Sequence, residues 1–287
     1  YIHYGGIGPM FAALAQARPA HLTMPGATAN LGHTWYISTV VLTSLGFYMW
    51  PHTFGAIFTA KSGDTLRRNA VVMPLYTMTL AFILFAGFTA VLVVPGLLDG
   101  DLALLTVVRK SFPVGFLGVI GGAGALTAMV PAAILTLTAA TLFAKNLWRP
   151  MFAPAMTDDQ VTRVARATVV VLGLISLYLA IHNSTTLVSL LLLGFAGVTQ
   201  FFPGVVLGLY WKRVTMPGVF TGMVAGVAAV AFLILTHRDP FFGWSAGFVA
   251  LCLNFLITAV LSLLTPAVGK FSLEEDLPAG TLFHETD

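Results

Sequence analysis

Seven runs of apolar residues, each long enough to cross about 30 Å of hydrocarbon, dominate what this chain can become. They lie at roughly 35–60, 71–94, 114–144, 164–182, 186–211, 217–236 and 243–265. Hydrocarbon offers the peptide group no hydrogen-bond partner, so each run must pair its own backbone, which a helix does. The fold class that follows is an all-α polytopic membrane protein of about seven transmembrane helices. Composition excludes the soluble alternative. Charged residues make up 9% of the 287, too few to coat a water-soluble globule, whose usual share is about 25%. The net charge of +3 fits basic loops on one side of a membrane rather than a nucleic-acid surface. The single cysteine, Cys252, stands inside an apolar run and supports neither a disulfide framework nor a thiolate metal site.

The loops set an orientation. Alternating from the loop at 61–69, one side collects Lys61, Arg67, Arg68, Lys145, Arg149, Arg163, Arg166, Lys212, Arg213 and Lys270. The other side collects Arg18, Arg109, Lys110 and Arg238. The first side is expected to be cytoplasmic. Residues 1–33 then form an extracellular loop segment, 34–266 the transmembrane bundle and 267–287 a cytoplasmic tail. A first span entering from outside, with no signal pattern before it, is expected to follow upstream helices. The stretch Asp99–Lys110 reads as a short amphipathic helix at an interface, and the run at 114–144 as an entry segment followed by a helix.

The first span carries a breaker. Pro51 has no amide proton and clashes with the turn before it. It also pushes Trp50 out of the helical region. Two half-helices, about 35–47 and 52–61, are expected, joined by a short non-helical piece. Such a piece survives at membrane depth only where protein or a wet cavity surrounds it. The second half-helix would begin with unpaired amides and the positive end of its dipole, a setting that receives an anion. Thr53 adds a hydroxyl, while Phe47, Tyr48 and Trp50 offer apolar walls. His52 is the only ionisable residue deep within a span. It can donate to a carboxylate, carry a proton, or satisfy a backbone carbonyl.

Further irregularities follow. Pro131 cannot donate to the carbonyl of Thr127, which leaves that oxygen open to a cation or water. Thr136, Thr138 and Thr141 follow on the same run, where threonine commonly bonds its own helix. Thr199 and Gln200 precede Pro203 in the fifth span. Gln200 is a candidate wall of a substrate site or a helix–helix hydrogen bond. Gly218, Gly222 and Gly226 repeat at four-residue spacing, a device for close helix packing.

These motifs resemble the sodium/solute symporter family. The carrying residues are Leu45-Gly-Phe-Tyr-Met-Trp-Pro-His-Thr-Phe54 with the basic loop after it. Met129-Val-Pro-Ala-Ala-Ile-Leu-Thr and its exit at Asn146-Leu-Trp148, and Gln200-Phe-Phe-Pro-Gly-Val-Val-Leu-Gly-Leu-Tyr-Trp-Lys-Arg213, carry the rest. The likeness covers about 30 to 265 and is nearest to the monocarboxylate permease branch. It implies a leucine-transporter-type inverted-repeat bundle, of which this chain supplies core helices six to ten and two peripheral ones. Two positions depart from the family pattern. Where sodium-coupled members place adjacent hydroxyl residues on the eighth helix, this chain has Val130 and Pro131, which cannot ligate a hard cation. Trp50 stands where a glutamine often precedes Pro-His.

The expectation is a cation-coupled symporter in the cell inner (plasma) membrane that takes up small monocarboxylates of the lactate and pyruvate type by alternating access. The expected substrate contacts are Phe47, Tyr48, Trp50, His52, Thr53 and Gln200. Thr127 is the candidate cation ligand, and the coupling ion is Na+ or H+. The expected partners are the organic acid, the bilayer and the missing N-terminal helices, with no nucleic acid. A symporter of the same family for an amino acid, vitamin acid or neutral solute stands beside this reading, as does a transporter-like sensor. No HExxH pair, intramembrane aspartate pair or serine–histidine constellation points to an enzyme, and no cofactor is called for.

Overall fold

Pairing the backbone of each apolar run turns most of the chain into helix. The computed structural model describes residues 3–24, 31–182 and 186–266. The helices are α1 (Ile7–Ala17), α2 (His33–Gly46), α3 (Pro51–Phe58), α4 (Gly63–Thr77), α5 (Leu80–Val93), α6 (Ala103–Ser111) and α7 (Val114–Leu142). They continue with α8 (Arg149–Phe152), α9 (Asp158–His182), α10 (Leu187–Val198), α11 (Phe202–Tyr210), α12 (Met216–Leu235) and α13 (Ala246–Leu264). Among the described residues the only strand-like pairing is one bridge, Phe241 with Trp244.

Six helical stretches are long and apolar enough to span a membrane: Gly63–Val93, Val114–Phe152, Asp158–His182, Leu187–Tyr210, Met216–Leu235 and Ala246–Leu264. The seventh expected span is α2 plus α3. At 14 and 8 residues they rise about 21 and 12 Å, so neither crosses alone. Large apolar side chains point outward along the long helices, Phe82 at 70% and Leu256 at 62% exposed. Water would oppose that arrangement and lipid accepts it. The protein is a multi-pass membrane protein.

Several boundaries differ from the sequence reading. Residues 1–33 contain a helix: α1 packs on α5, with Met10 and Leu14 buried. The basic loop at 61–69 is mostly the start of α4, because the Ser62 hydroxyl accepts the Thr65 amide at 3.3 Å and caps a helix from Gly63. Arg67 and Arg68 are therefore helical. The run at 114–144 has no separate entry segment; α7 starts at Val114, directly after Pro113. It passes Pro131 without a break and goes into a π-turn at Phe143–Trp148. The amphipathic helix expected at Asp99–Lys110 is α6, shifted to Ala103–Ser111, with Val107 and Val108 buried. The expected tail, 267–287, lies outside the described residues.

Packing is concentrated at one end of the chain. Burial within the apolar window is 33% for α13 and 28% for α12, but 6% for α7 and α9. The α12–α13 contact depends on glycine. A Cβ at Gly218 would overlap Ser262 Oγ, one at Gly222 the Thr258 hydroxyl, and one at Gly226 the Gln200 side chain. The three glycines form the close-approach face expected from their spacing. A stripe of polar residues on α13, Asn254, Thr258 and Ser262, faces them and is fully buried. Asn254 Nδ2 donates to Gln200 O at 2.8 Å and to Gln200 Oε1 at 3.2 Å. Thr258 donates to Asn254 Oδ1 at 3.1 Å, and Ser262 accepts the Thr215 amide at 3.1 Å. Removing one member leaves buried partners unpaired at a cost of about 1–3 kcal/mol. Asn254→Leu is expected to lower the melting temperature of the detergent-purified full-length protein. Leu256→Ala, which trims a lipid-facing side chain, should leave it nearly unchanged.

Candidate functional site at the broken helix

The break lies where the proline rule places it. Helix α2 ends at Gly46, Phe47–Met49 form one 3-10 turn, and Trp50 is extended at φ −63°, ψ 132°. Helix α3 then starts on Pro51. No side chain caps this start. The first backbone bond of α3 runs from the Phe54 amide to the Trp50 carbonyl at 2.8 Å. Pro51 has no amide proton, so the His52 and Thr53 amides are the ones left without a helical acceptor. They sit at the positive end of the α3 dipole.

The rings around the break are ordered by contact. Phe47 and Tyr48 meet edge to face, their centroids 5.2 Å apart. Trp50 lies across Gly194 of α10, where a Cβ would stand 2.8 Å from its Cη2. Its ring also meets Phe195 perpendicularly at 5.4 Å. His52 is half-buried, 6.0 Å from the Trp50 ring. Its Nδ1 is fully shielded and has no hydrogen-bond partner among the described residues. Thr53 is half-buried beside it.

A second interruption faces the first. Between α10 and α11, Thr199–Phe201 form a 3-10 turn that touches the Phe47–Met49 turn. Gly46 makes the approach possible, since a Cβ there would overlap the Thr199 hydroxyl. Thr199 Oγ1 donates to Phe195 O at 2.7 Å and lies 3.3 Å from Leu42 O. This second break had a signal in the sequence: Pro203 follows a Thr-Gln pair inside an apolar run.

Around the break the five expected residues fall into two groups, the exposed Phe47–Tyr48 pair and Trp50 with His52, with Thr53 next to His52 in the chain. The structure turns Gln200 the other way. Gln200 is 1% exposed. Its amide nitrogen donates to Ala196 O at 3.0 Å and Gly247 O at 3.3 Å, and its oxygen accepts from Asn254. Of the two roles open to Gln200, the one visible in these contacts is helix–helix bonding. Thr127 sits on α7, exposed, and its hydroxyl donates to Ala123 O at 2.8 Å. Thr136, Thr138 and Thr141 bond their own helix in the same way. Only the Thr127 carbonyl, which Pro131 cannot serve, remains open there. Asn254, Thr258 and Ser262, spaced by four along α13, escaped the sequence reading although their helical period marks one buried face.

A bundle of apolar spans, one of them unwound at mid-length beside aromatic side chains, defines a polytopic membrane protein with an irregular segment at membrane depth, a feature that recurs in transporters. The sequence profile of the Sodium:solute symporter family matches residues 1–226, and the chain belongs to that family. "Uncharacterized symporter YhjB" of Bacillus subtilis (strain 168) is 42% identical over 92% of this chain and 56% of its own length. The "Monocarboxylate transport permease protein" of Rhizobium johnstonii is 30% identical over 92% of this chain and 56% of its own. The "High-affinity proline transporter PutP" of Bacillus subtilis is 25% identical over 91% and 56%. The chain therefore spans about half the length of the curated relatives it matches. No solved structure matches it.

The close approach of the two breaks gives a test. Gly46→Val places a branched side chain against Thr199 and Phe195, and overpacking of this kind costs about 1–3 kcal/mol. The full-length variant is expected to melt at a lower temperature. Gly208→Val, where a Cβ would meet nothing within 4 Å, should melt with the wild type.

Proposed function

We propose that the chain is part of a cation-coupled symporter that takes up small monocarboxylates of the lactate and pyruvate type by alternating access. The observation that supports it most is the uncapped start of α3. Two amides, His52 and Thr53, lack helical acceptors at the positive end of a helix. An anionic group no larger than a carboxylate matches that donor pair. Phe47, Tyr48 and Trp50 then wall the short apolar part of the acid. The similarity to a monocarboxylate permease points the same way.

The proton and sodium both remain in play as the coupling ion. Val130 and Pro131 offer no side-chain oxygen, which favours a proton, or sodium held by main-chain oxygens such as that of Thr127. Coupling requires that cation and substrate favour the same conformation, and linkage makes that preference mutual. The membrane is the plasma membrane. The side bearing Lys61, Arg67, Arg68, Lys145 and Arg149 is cytoplasmic, which puts residues 1–33 outside and 267–287 inside. An amino acid is the second reading, because a proline transporter is among the relatives and an amino acid carries the same carboxylate.

Uptake of labelled lactate and pyruvate by the full-length protein in proteoliposomes tests the proposal, with sodium and proton gradients imposed separately. Accumulation driven by one gradient, and lost about tenfold in Trp50→Ala, is the expected outcome, because aromatic anchors are over-represented among the side chains that carry most of the binding energy. Uptake of proline, unaffected by excess lactate, would move the substrate to the amino-acid reading.

A further inference from the structure

A cavity of about 500 Å³ lies about two turns before the break, between α2, the first turns of α10, the end of α12 and the start of α13. Trp35, Leu42, Leu193, Ala196 and Ile234 give it apolar walls. Thr39, Ser189, His237, Asp239 and Ser245 are its polar lining, and Asp239 is the one carboxylate among them.

Thr39 behaves unlike its neighbours. Thr43, Thr89, Thr127, Thr136, Thr138, Thr141, Thr168 and Thr236 each bond the carbonyl four residues back. For Thr39 that carbonyl belongs to Trp35, and Ser38 Oγ already donates to it at 2.9 Å. Thr39 Oγ1 is left buried with no partner among the described residues. A buried hydroxyl without a partner is costly, and a guest that bonds it recovers the loss.

Charge selects the guest. Asp239 Oδ1 accepts the Ala246 amide at 3.0 Å, which fixes the carboxylate at the start of α13. That helix end offsets only part of a full negative charge. Asp239 forms no ion pair among the described residues. Arg238, next in sequence, carries its guanidinium over the Phe232 ring, 5.9 Å from the centroid. The start of α10 does not attract an anion either. Its Leu187 amide is taken by Asp101 Oδ2 at 2.9 Å, and its Ser189 amide by Thr186. The cavity therefore combines an exposed carboxylate and an exposed imidazole, Asp239 and His237, with one unpartnered hydroxyl and apolar walls beside an indole.

We propose that this cavity is a second binding site, separate from the helix break, for small organic ammonium compounds with an apolar body. The ammonium group pairs with Asp239, its body lies along Leu42, Leu193, Ala196 and Ile234, and Trp35 can add a cation–π contact. Where a guest carries a second polar group, the Thr39 hydroxyl can bond it. The site goes beyond the carboxylate reading and does not depend on it.

Calorimetric titration of the full-length protein in lipid nanodiscs with phenethylammonium chloride tests the assignment. Saturable binding is expected. Asp239→Asn keeps an oxygen for the Ala246 amide, so α13 stays capped, yet it should weaken binding by about two- to fivefold, as loss of a water-screened ion pair at an exposed carboxylate does. Leu193→Trp should abolish binding by filling the throat. Lactate should not compete. Absence of saturable binding to the wild type would overturn the proposal, as would undiminished binding by Asp239→Asn. Competition by lactate would place the guest at the break instead and overturn it too. Equal affinity for methylammonium and phenethylammonium, or displacement by sodium chloride but not by potassium chloride, would show an inorganic-cation site and also overturn it.

Discussion

The peptide bond's need for a partner inside hydrocarbon controls this structure. Each unpaired N–H or C=O costs several kcal/mol there. Six stretches meet the need with helical turns from end to end, one of them tightening to a 3-10 turn at Thr199–Phe201, and the seventh does not. The α2–α3 span is interrupted at Phe47–Trp50 because Pro51 can neither donate nor tolerate the turn before it. An interruption of this kind persists only where the surrounding protein shields it. Here the shield is α10. Trp50 covers Gly194, and the second 3-10 turn, Thr199–Phe201, sits against Gly46. Two weaknesses in the backbone are placed face to face, and small residues let them meet.

That arrangement requires α10 to be held firmly, and the polar seam behind it does so. Gln200 is tied to Gly247 and Asn254 of α13, and α13 is locked to α12 through Gly218, Gly222 and Gly226. The apolar core of Leu42, Ala196, Val230, Ala250 and Leu251 joins α2 to the same three helices. Glycine supplies proximity and the amides supply direction. Lipid gives no hydrophobic drive between helices, so these two devices carry the association. The result is a rigid wall on one side of the break. On the other side α3 leans on α7, whose apolar surface is little covered.

Much of this was legible in the sequence because its causes are local. A proline in an apolar run dictates a break, and the break was expected within about one residue of where it stands. Four-residue glycine spacing dictates close packing, and α12 packs as expected. Tertiary partners were harder to read. Gln200 has the same local signal whether it faces a guest or Asn254, and only the position of α13 separates the two. The second interruption at Thr199 was missed because Pro203 sits at the first turn of α11, a position that helices tolerate. Asn254, Thr258 and Ser262 could have been recognised from their period of four. Thr39 could not, since its lack of a partner follows from Ser38 taking the Trp35 carbonyl. Helix starts moved where caps won over hydropathy, as Ser62 moved α4 back to Gly63.

Hydrogen–deuterium exchange of the full-length protein in nanodiscs, followed at single-residue resolution over 44–58 with and without lactate, addresses the central claim. If the chain is unwound at Trp50 and the freed amides receive an anion, His52 and Thr53 exchange faster than Ser44 and Ile57. Lactate then slows those two amides and spares the flanks. Uniformly slow exchange across the segment, untouched by lactate, would mean an intact helix with no place for a guest and would contradict the account.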